Sequence, residues 1–267
     1  MDIVEVIQQR KSIRAFKPDP VPREVLGQIV KLAQRAPSWA NTQPWELAIV
    51  SGAKLEAIKE AFSTQHGARA LPDFPGPEEF PEAYKTRFQN LAAKISEAAK
   101  KGRRGKKAGD WYLQGPRLYG APAAIYILID RSFFEQRGSL NVYPVFDCGL
   151  LAQNIMLLAA DHGLGTIVQA QAVHYPNMLR QMLGIPDSKL VLVGIAIGYP
   201  DWENPINQFR SDREAADSVV KWYGFDRGVH PNRHAGQVSD LTLTYPFVLV
   251  RSLAGTAQRD AAAVFGQ

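Results

Sequence analysis

The segment Arg10-Lys11-Ser12-Ile13-Arg14 places three cations and a hydroxyl within five residues, close to the start of the chain. Alternate residues of an extended chain share a face, so Arg10, Ser12 and Arg14 would lie together; in a helix Arg10 and Arg14 still would. Two guanidinium groups and a hydroxyl on one face can bind a phosphate, because arginine donates to it bidentately. An exposed basic turn is the alternative interpretation, since charged side chains are mostly solvated.

A second polar segment, residues 36–45, reads Ala-Pro-Ser-Trp-Ala-Asn-Thr-Gln-Pro-Trp. The amides of Asn41 and Gln43 each carry donors and an acceptor, which suits them to the edge of an imide ring. The alternative is that both amides hold the backbone of their own loop. The residues alone leave both interpretations open.

Several catalytic chemistries lack their residues. The five histidines have no metal-binding spacing such as His-Glu-x-x-His, and the single cysteine, Cys148, cannot form a zinc thiolate site. A Gly-x-Ser-x-Gly elbow, a Walker loop and the complete dinucleotide fingerprint are also missing from the sequence. We therefore predict no metal and no catalytic side chain, and a bound cofactor that carries the chemistry.

The basic run Lys100–Lys107 contributes to a net charge of +5. Such a run can bind nucleic acid through phosphates. No aromatic platform or recognised nucleic-acid motif accompanies it, so a solvated loop is the favoured interpretation and we expect no nucleic-acid partner.

Hydrophobic patterning places the elements that must position these residues. Asp2 and Glu5 predict the capping box of a short helix, and Pro22 the first turn of a second helix that ends before Pro37. Further helices are predicted at 82–101, 143–162 and 172–183, and buried strands at 46–50, 123–130, 166–169 and 190–198. The helix 143–162 is apolar on more than one side, which is typical of a core helix or a subunit interface. The order of elements predicts an α/β or α+β domain with helices packed on a central sheet.

Two regions are less regular. Residues 62–120 form an excursion with a proline-rich part, either a lid or binding loop or inert packing over the core. Near the C-terminus, alternating apolar residues at 238–250 could add an edge strand despite Pro246.

Composition bounds the class of protein. A chain of 267 residues with 46% hydrophobic and 21% charged residues is ordinary for a soluble globular protein. The apolar stretches 121–129 and 190–197 are too short to span a bilayer, and the sequence does not start with a signal-peptide pattern. One cysteine suits a reducing compartment. We therefore predict a cytoplasmic protein that does not contact a membrane.

Four stretches in sequence order resemble the nitroreductase family of flavin enzymes, and the resemblance covers most of residues 1–225. The excursion matches only loosely, and the tail after Arg227 is outside the pattern. The stretches are Arg10–Phe16, Ala36–Trp45, Asn154–Gln171 and Gly194–Arg213.

The resemblance implies an α+β fold with a central mixed β-sheet flanked by helices, in an intertwined homodimer with one FMN in each of two interface sites. It implies a nitroreductase-like domain over residues 1–227, with the excursion as a possible lid, and a C-terminal extension, 228–267, of unknown role. The implied reaction is ping-pong: NADH or NADPH reduces FMN, which then reduces a nitroaromatic acceptor, with quinones as a further class. Reductive dehalogenation or flavin breakdown on the same fold is the alternative, and a phosphate- or nucleic-acid-binding module a remote one.

Site residues follow from the resemblance by position. It implies that Arg10, Ser12 and Arg14 hold the FMN phosphate and ribityl chain together with Arg210. Lys11 would contribute mainly through its backbone. Arg213 would either join them or make a structural ion pair. A loop of the other subunit and a segment along the isoalloxazine, with a backbone N–H near the reactive nitrogen, would complete the site. The implied cofactor-binding residues are Arg10, Lys11, Ser12, Arg14, Pro37, Ser38, Asn41, Gln43, Gln169, Ala170, Gln171, Arg210 and Arg213.

Overall fold

The computed structural model describes residues 1–65, 69–101, 114–136 and 139–225. Residue contacts divide the chain into two units, 1–213 and 214–267. The described part of the second unit includes a short helix, Ala216–Val219. The candidate edge strand at 238–250, the extension 228–267 and the basic run from residue 102 onward lie outside the described residues.

A four-stranded sheet forms the centre of the first unit. Its strands lie in the order β1-β2-β6-β5, and every pair of neighbours is antiparallel. A parallel bridge from Ser12 to Thr166 extends the sheet beyond β5. β3 and β4 form a separate two-residue hairpin. The strands are β1 (Trp45–Ser51), β2 (Ala123–Asp130), β3 (Glu135–Gln136), β4 (Ser139–Leu140), β5 (Gly165–Gln169) and β6 (Lys189–Gly198).

Helices cover both faces of this sheet, as expected for an α+β domain. On one face α2 and α6 pack against alternate residues of β2, such as Ile125 and Ile127; on the other, α3, α4 and α7 pack around Tyr126 and Leu128. The α+β class predicted from the sequence is thus confirmed. The helices are α1 (Ile3–Gln9), α2 (Arg23–Ala33), α3 (Gly52–Thr64), α4 (Glu82–Lys101), α5 (Arg131–Phe134), α6 (Tyr143–Asp161) and α7 (Pro176–Leu183).

Two local predictions need correction. Asp2 caps α1 by accepting from the Val4 N–H, but Glu5 accepts from the Gln9 side chain, so the reciprocal half of the predicted capping box does not form. The predicted helix 172–183 is in fact a 3₁₀ turn, Gln171–Val173, followed by α7. Pro176 separates the two, because proline cannot donate the hydrogen bond that a continuous helix needs.

Among the described residues, α6 is the one helix with the length and hydropathy of a membrane-spanning helix. Leu151, Ile155 and Ala159 on this helix are nevertheless buried in the core on the α2 face of the sheet. At its N-terminal end, Tyr143 and Phe146 are 52% and 64% exposed. The core role predicted for this helix is therefore confirmed, and apolar side chains at its N-terminal end are exposed on the surface of the single chain.

Candidate functional site

The segment 10–16 lies in an extended conformation beside β5. The backbone N–H of Ile13 donates to the Thr166 carbonyl oxygen at 3.0 Å, and Phe16 bridges to Pro200. Ile13 is almost completely buried. The segment thus has the extended geometry, one of the two predicted. Arg10 nevertheless lines the same cavity as Lys11 and Ile13.

Two facing glycines make room for this segment. Gly165 and Gly198 are paired across β5 and β6. A Cβ atom on Gly165 would lie 2.5 Å from Cγ1 of Ile13, and one on Gly198 would lie 2.4 Å from Cδ of Pro122 and 3.1 Å from Phe16. Glycine is needed at both positions because other backbone and side-chain atoms approach the strands this closely.

Asn207, which is completely buried, joins the segment to the chain that follows β6. Its Oδ1 accepts the backbone N–H of Arg14 at 2.8 Å, and its Nδ2 donates to the carbonyl oxygens of Ala15 at 2.7 Å and Asp201 at 2.8 Å. The bond to Oδ1 satisfies the Arg14 N–H, while the Ala15 and Asp201 carbonyl oxygens each accept a backbone N–H as well. This side chain therefore sets the place of the Arg14 backbone.

Cationic side chains from the two ends of the unit meet here. Burial and then the charges of Arg213 and Arg210 lower the pKa of Arg10. Burial and then Arg210 likewise lower the pKa of Lys11. The guanidinium of Arg210 donates to the Gln8 carbonyl oxygen, which places it at the end of α1. These cations repel one another, and a bound anion would relieve that repulsion.

Arg14 is the most enclosed cation of this group. Burial lowers its pKa, and a hydrogen bond with the phenol of Tyr119 opposes that effect. Its Nη1 also donates to the Ser12 carbonyl oxygen at 3.3 Å. Leu118 and Tyr119 both have φ of 54°, a strained conformation for residues with a side chain, and such strain is often found at functional sites.

A cavity of about 250 Å³ opens beside the cations. Its wall includes Arg10, Lys11, Thr166 and Trp202, and the Lys11 ammonium lies 5.1 Å from the centre of the Trp202 ring. Arg213 is turned toward its own backbone, with Nη1 donating to the Ser211 hydroxyl at 2.8 Å and to the Asp212 carbonyl oxygen at 2.8 Å. The structure thus brings Arg10 and Lys11 together with Arg210 and Arg213. Ser12 and Arg14 adjoin them in the chain, and the Arg14 guanidinium bonds to Tyr119 and to the Ser12 carbonyl oxygen.

The loop 36–45 is built around a 3₁₀ turn, Trp39–Asn41, with positive φ at Ala40, Asn41 and Gln43. The Gln43 N–H donates to the Ser38 hydroxyl at 3.0 Å, and its side-chain amide donates to the Asn41 carbonyl oxygen at 3.2 Å. The local role left open for these amides is therefore observed for Gln43. Pro37, Asn41 and Gln43 are exposed and Ser38 is half-buried.

A buried carboxylate fixes this loop to α6. Oδ2 of Asp147, a side chain only 2% exposed, accepts the Trp39 N–H at 3.0 Å. The rings of Trp39 and Tyr143 stack at 5.8 Å with an interplanar angle of 22°. One helical residue and one aromatic pair therefore hold the loop at the N-terminal end of α6.

The two groups of predicted site residues lie at opposite ends of α6 within one chain. The loop is bound at Asp147, whereas Ala160 and Gly163 border the cavity that Arg10 also lines. Thirteen residues of helix between Asp147 and Ala160 span about 20 Å.

The third predicted stretch, Gln169 to Gln171, begins at the end of β5. The Gln169 side chain is buried, and its Nε2 donates to the Gly115 carbonyl oxygen at 3.0 Å, so this side chain points into the protein. Its Oε1 has no hydrogen-bond partner among the groups described. Ala170 is exposed and Gln171 is half-buried. In this stretch, solvent-accessible side chains are therefore limited to Ala170 and Gln171.

Sequence reasoning missed Asn207, Asp147 and Tyr119. Asn207 is part of one of the quoted stretches, but its partners Arg14 and Ala15 are 193 and 192 residues away in the chain. Cys148, next to Asp147, is buried, and burial raises the pKa of its thiol to about 12. It is thus an inert core residue. Within the described ranges, no group of three or more His, Cys, Asp or Glu side chains could hold a metal ion.

Comparison with known proteins identifies the class. The model of the nitroreductase family matches residues 7–199. A 4-nitrobenzoate reductase from Pseudomonas putida is 28% identical over 229 residues, 85% of this chain and 97% of the relative. Nitroreductase NfnB from Mycolicibacterium smegmatis is 31% identical over 220 residues, 81% of this chain and 91% of that protein. The chain belongs to the nitroreductase family.

A solved structure agrees with this assignment. The FMN and NADPH-dependent nitroreductase NfnB from Sphigopyxis sp. strain HMH has a TM-score of 0.76 and 29% sequence identity, and the match covers 84% of this chain and all of that one. Arg210 and Arg213 lie beyond the span matched by the family model.

Proposed function

We propose that this chain is an FMN-dependent NAD(P)H oxidoreductase that reduces nitroaromatic compounds. The observation that carries the proposal is the cluster of Arg10, Lys11 and Arg210, brought together from the two ends of the first unit, with Arg14 next to it in the chain. Family membership and the nitro-reducing activities in the names of the relatives support the reaction class. The alternatives, dehalogenation and flavin breakdown, have no comparable support here.

The residues fit FMN on chemical grounds. A phosphate ester carries charge that the clustered guanidinium groups can bind bidentately. Burial is the main cause of the lowered Arg10 pKa, and the phosphate would lift the repulsion from Arg213 and Arg210 that lowers it further. In this proposal Arg10, Ser12, Arg14 and Arg210 hold the phosphate and ribityl chain. Exposed Ala170 and half-buried Gln171 border the ring system.

A bound FMN would supply hydride-accepting and two-electron-donating chemistry, with NADH or NADPH as the donor and, in ping-pong order, nitroaromatics as the main acceptor class and quinones as a second. The role of the protein is binding, orientation and electrostatics. Arg14, held by Asn207 and Tyr119, supplies a fixed positive charge in a partly dry environment, where charges act more strongly than in water.

We further propose that the enzyme is a homodimer whose sites are shared between subunits. Loop 36–45 and the Arg10 cluster lie at opposite ends of α6, so a second chain packed antiparallel along α6 would place its loop near this chain's cations. The apolar side chains exposed along this surface fit such a contact: Ile3, Val4 and Ile7 on α1, and Tyr143 and Phe146 on α6. A two-fold contact buries the same patch on both subunits.

The remaining features stay predictions. The lid role of the excursion 62–120 stays a prediction; inside the excursion, the Asp73 carboxylate contacts Arg180 at 2.6 Å. The cytoplasmic location is supported by the single cysteine being buried and unpaired. The domain boundary at 227 stays a prediction, and residue contacts divide the chain after Arg213.

The test of the proposed function is flavin uptake followed by turnover. We expect the purified protein to retain or take up FMN, to show flavin absorbance that NADH or NADPH bleaches anaerobically, and to recover that absorbance with a nitroaromatic acceptor. A panel with a nitroaromatic, a quinone and a halophenol distinguishes the reaction classes. A colourless protein that cannot take up added FMN would refute the proposal, and turnover of the halophenol alone would replace it by dehalogenation.

The residue-level test replaces Arg14 by alanine. Loss of one charge-assisted contact to phosphate should lower FMN affinity about 10-fold or more. The matched control is Arg23→Ala, which removes an exposed arginine in the first turn of α2 and should leave FMN affinity unchanged. Equal effects of the two substitutions, measured by fluorescence titration of the apoprotein, would contradict the assignment.

A further inference from the structure

Asn207 is the point where the two arginine-bearing segments are joined. Its three side-chain hydrogen bonds reach the backbone of Arg14, Ala15 and Asp201, at 2.7 to 2.8 Å. Asn207 ends the 3₁₀ turn Pro205–Asn207, and Arg210 follows three residues later. Three residues reach at most about 10 Å, so fixing Asn207 also limits where Arg210 can lie.

The chemistry of the asparagine amide suits this position. One acceptor and two donors are used at once, and the side chain has no exposed surface. Alanine would leave the Arg14 N–H without its acceptor and would remove one donor from each of the Ala15 and Asp201 carbonyl oxygens, which keep a backbone N–H donor. Aspartate would keep the acceptor but direct an anionic oxygen at those two carbonyl oxygens. Both replacements therefore loosen the hold on the Arg14 backbone.

We propose that Asn207 is a positioning residue that makes this site select a phosphorylated flavin over an unphosphorylated one, because it fixes Arg14 relative to Arg210. This inference rests on the proposed function. Asn207 itself does not touch the ligand. The ligand class is a flavin mononucleotide, whose phosphate requires a fixed position of Arg14 relative to Arg210. Riboflavin has the same ring and ribityl chain but no phosphate, so its binding does not depend on that relative position.

The experiment compares FMN and riboflavin as ligands of the full-length apoprotein by fluorescence titration. Wild type should bind FMN more tightly than riboflavin. Asn207→Ala should weaken FMN binding by about 10-fold or more, the size of one lost charge-assisted hydrogen bond, with riboflavin affinity changed less than about twofold. A merely structural role would weaken both ligands alike, and that result would overturn the proposal.

The matched control is Asn204→Ala. The Asn204 side chain accepts the Ile206 N–H at 3.2 Å and caps the same 3₁₀ turn, but contacts no atom of the segment 10–16 through that bond. Asn204→Ala should leave the ratio of FMN affinity to riboflavin affinity at the wild-type value. A ratio lowered as much as in Asn207→Ala would overturn the proposal.

A measurement on the wild type tests the proposal without relying on the variants to fold. FMN should slow hydrogen exchange of the Arg14 amide, which donates to Asn207, more than riboflavin does at equal saturation; equal protection would contradict the proposal. Asn207→Asp, of nearly unchanged shape, should show the same selective loss as alanine. If wild type binds no flavin, the proposed function fails; if it binds both flavins equally, only this inference fails.

Discussion

Gly165→Ala adds one methyl group where segment 10–16 meets the sheet. The added Cβ would lie 2.5 Å from Cγ1 of Ile13 and 2.9 Å from Cγ of Pro200, whereas ordinary van der Waals contacts are 3.4–4 Å. Relief of the shorter contact requires a shift of about 1 Å. Because the Cβ of Ile13 would also lie only 3.0 Å away, rotation of its side chain cannot relieve the contact, and the segment itself must move. Overpacking of this kind costs about 1–3 kcal/mol of unfolding free energy.

The same shift should weaken cofactor binding. The Ile13 N–H lies 3.0 Å from the Thr166 carbonyl oxygen, so a displacement of about 1 Å breaks that bond and moves the neighbouring Arg14. Misplacement by 1 Å can cost on the order of 100-fold at a site that depends on orientation. We expect FMN affinity to fall by about 10- to 100-fold.

Urea denaturation and FMN titration test both parts. The control is Gly27→Ala in α2, where an added Cβ has no neighbour within 4 Å; alanine in a helix interior should raise stability by up to about 1 kcal/mol and leave FMN binding unchanged. If Gly165→Ala keeps wild-type stability and FMN affinity, the role of this close approach in holding the segment is refuted.

Two further predictions concern the loop and the sheet end. Asp147→Ala leaves the Trp39 N–H unpaired and should lower the free energy of unfolding by about 1–3 kcal/mol; it should also lower FMN affinity. Glu60→Ala, at an exposed position of α3, should change neither quantity. Unchanged FMN affinity in Asp147→Ala would refute a role of the anchored loop in the site. The hydrogen bond from Ser132, and then that from Lys189, lower the pKa of Asp130 to about 2. A depressed carboxyl pKa gives stability that is present above pH ~4 and lost as the pH falls toward 2. Over that window the urea midpoint of Asp130→Asn should therefore change less with pH than the midpoint of the wild type. An unchanged pH dependence would contradict this.

The strands and most helices could be predicted because their signals are local. Residues 123–130 form a continuous apolar run, and the whole run is β2. Gly163, with φ of 73°, ends α6 close to its predicted boundary. The turn before α7 was missed because Pro176 permits either a continuous or a restarted helix in a pattern of apolar residues.

The candidate site could be predicted only in part, for a physical reason. Arg10, Ser12 and Arg14 are identified by type and spacing, and Arg210 by resemblance alone. Asn207 and Asp147 act on backbone groups 193 and 108 residues away, and no local pattern encodes such partners. The strained backbone at Tyr119 likewise has no sequence signal, since residues other than glycine seldom take positive φ.

The most direct test of the account is subunit complementation, because its central claim is a flavin site shared between two copies of the chain. Arg14→Glu reverses a charge in the cation cluster, and Asn41→Pro breaks the exposed loop, since proline cannot adopt the φ of 57° found there. Each homodimer should be inactive. Random exchange of equal amounts makes about half of the dimers mixed, each with one intact site, so NADPH-dependent nitro reduction should recover to about a quarter of wild type. No recovery in verified mixed dimers would contradict the shared site.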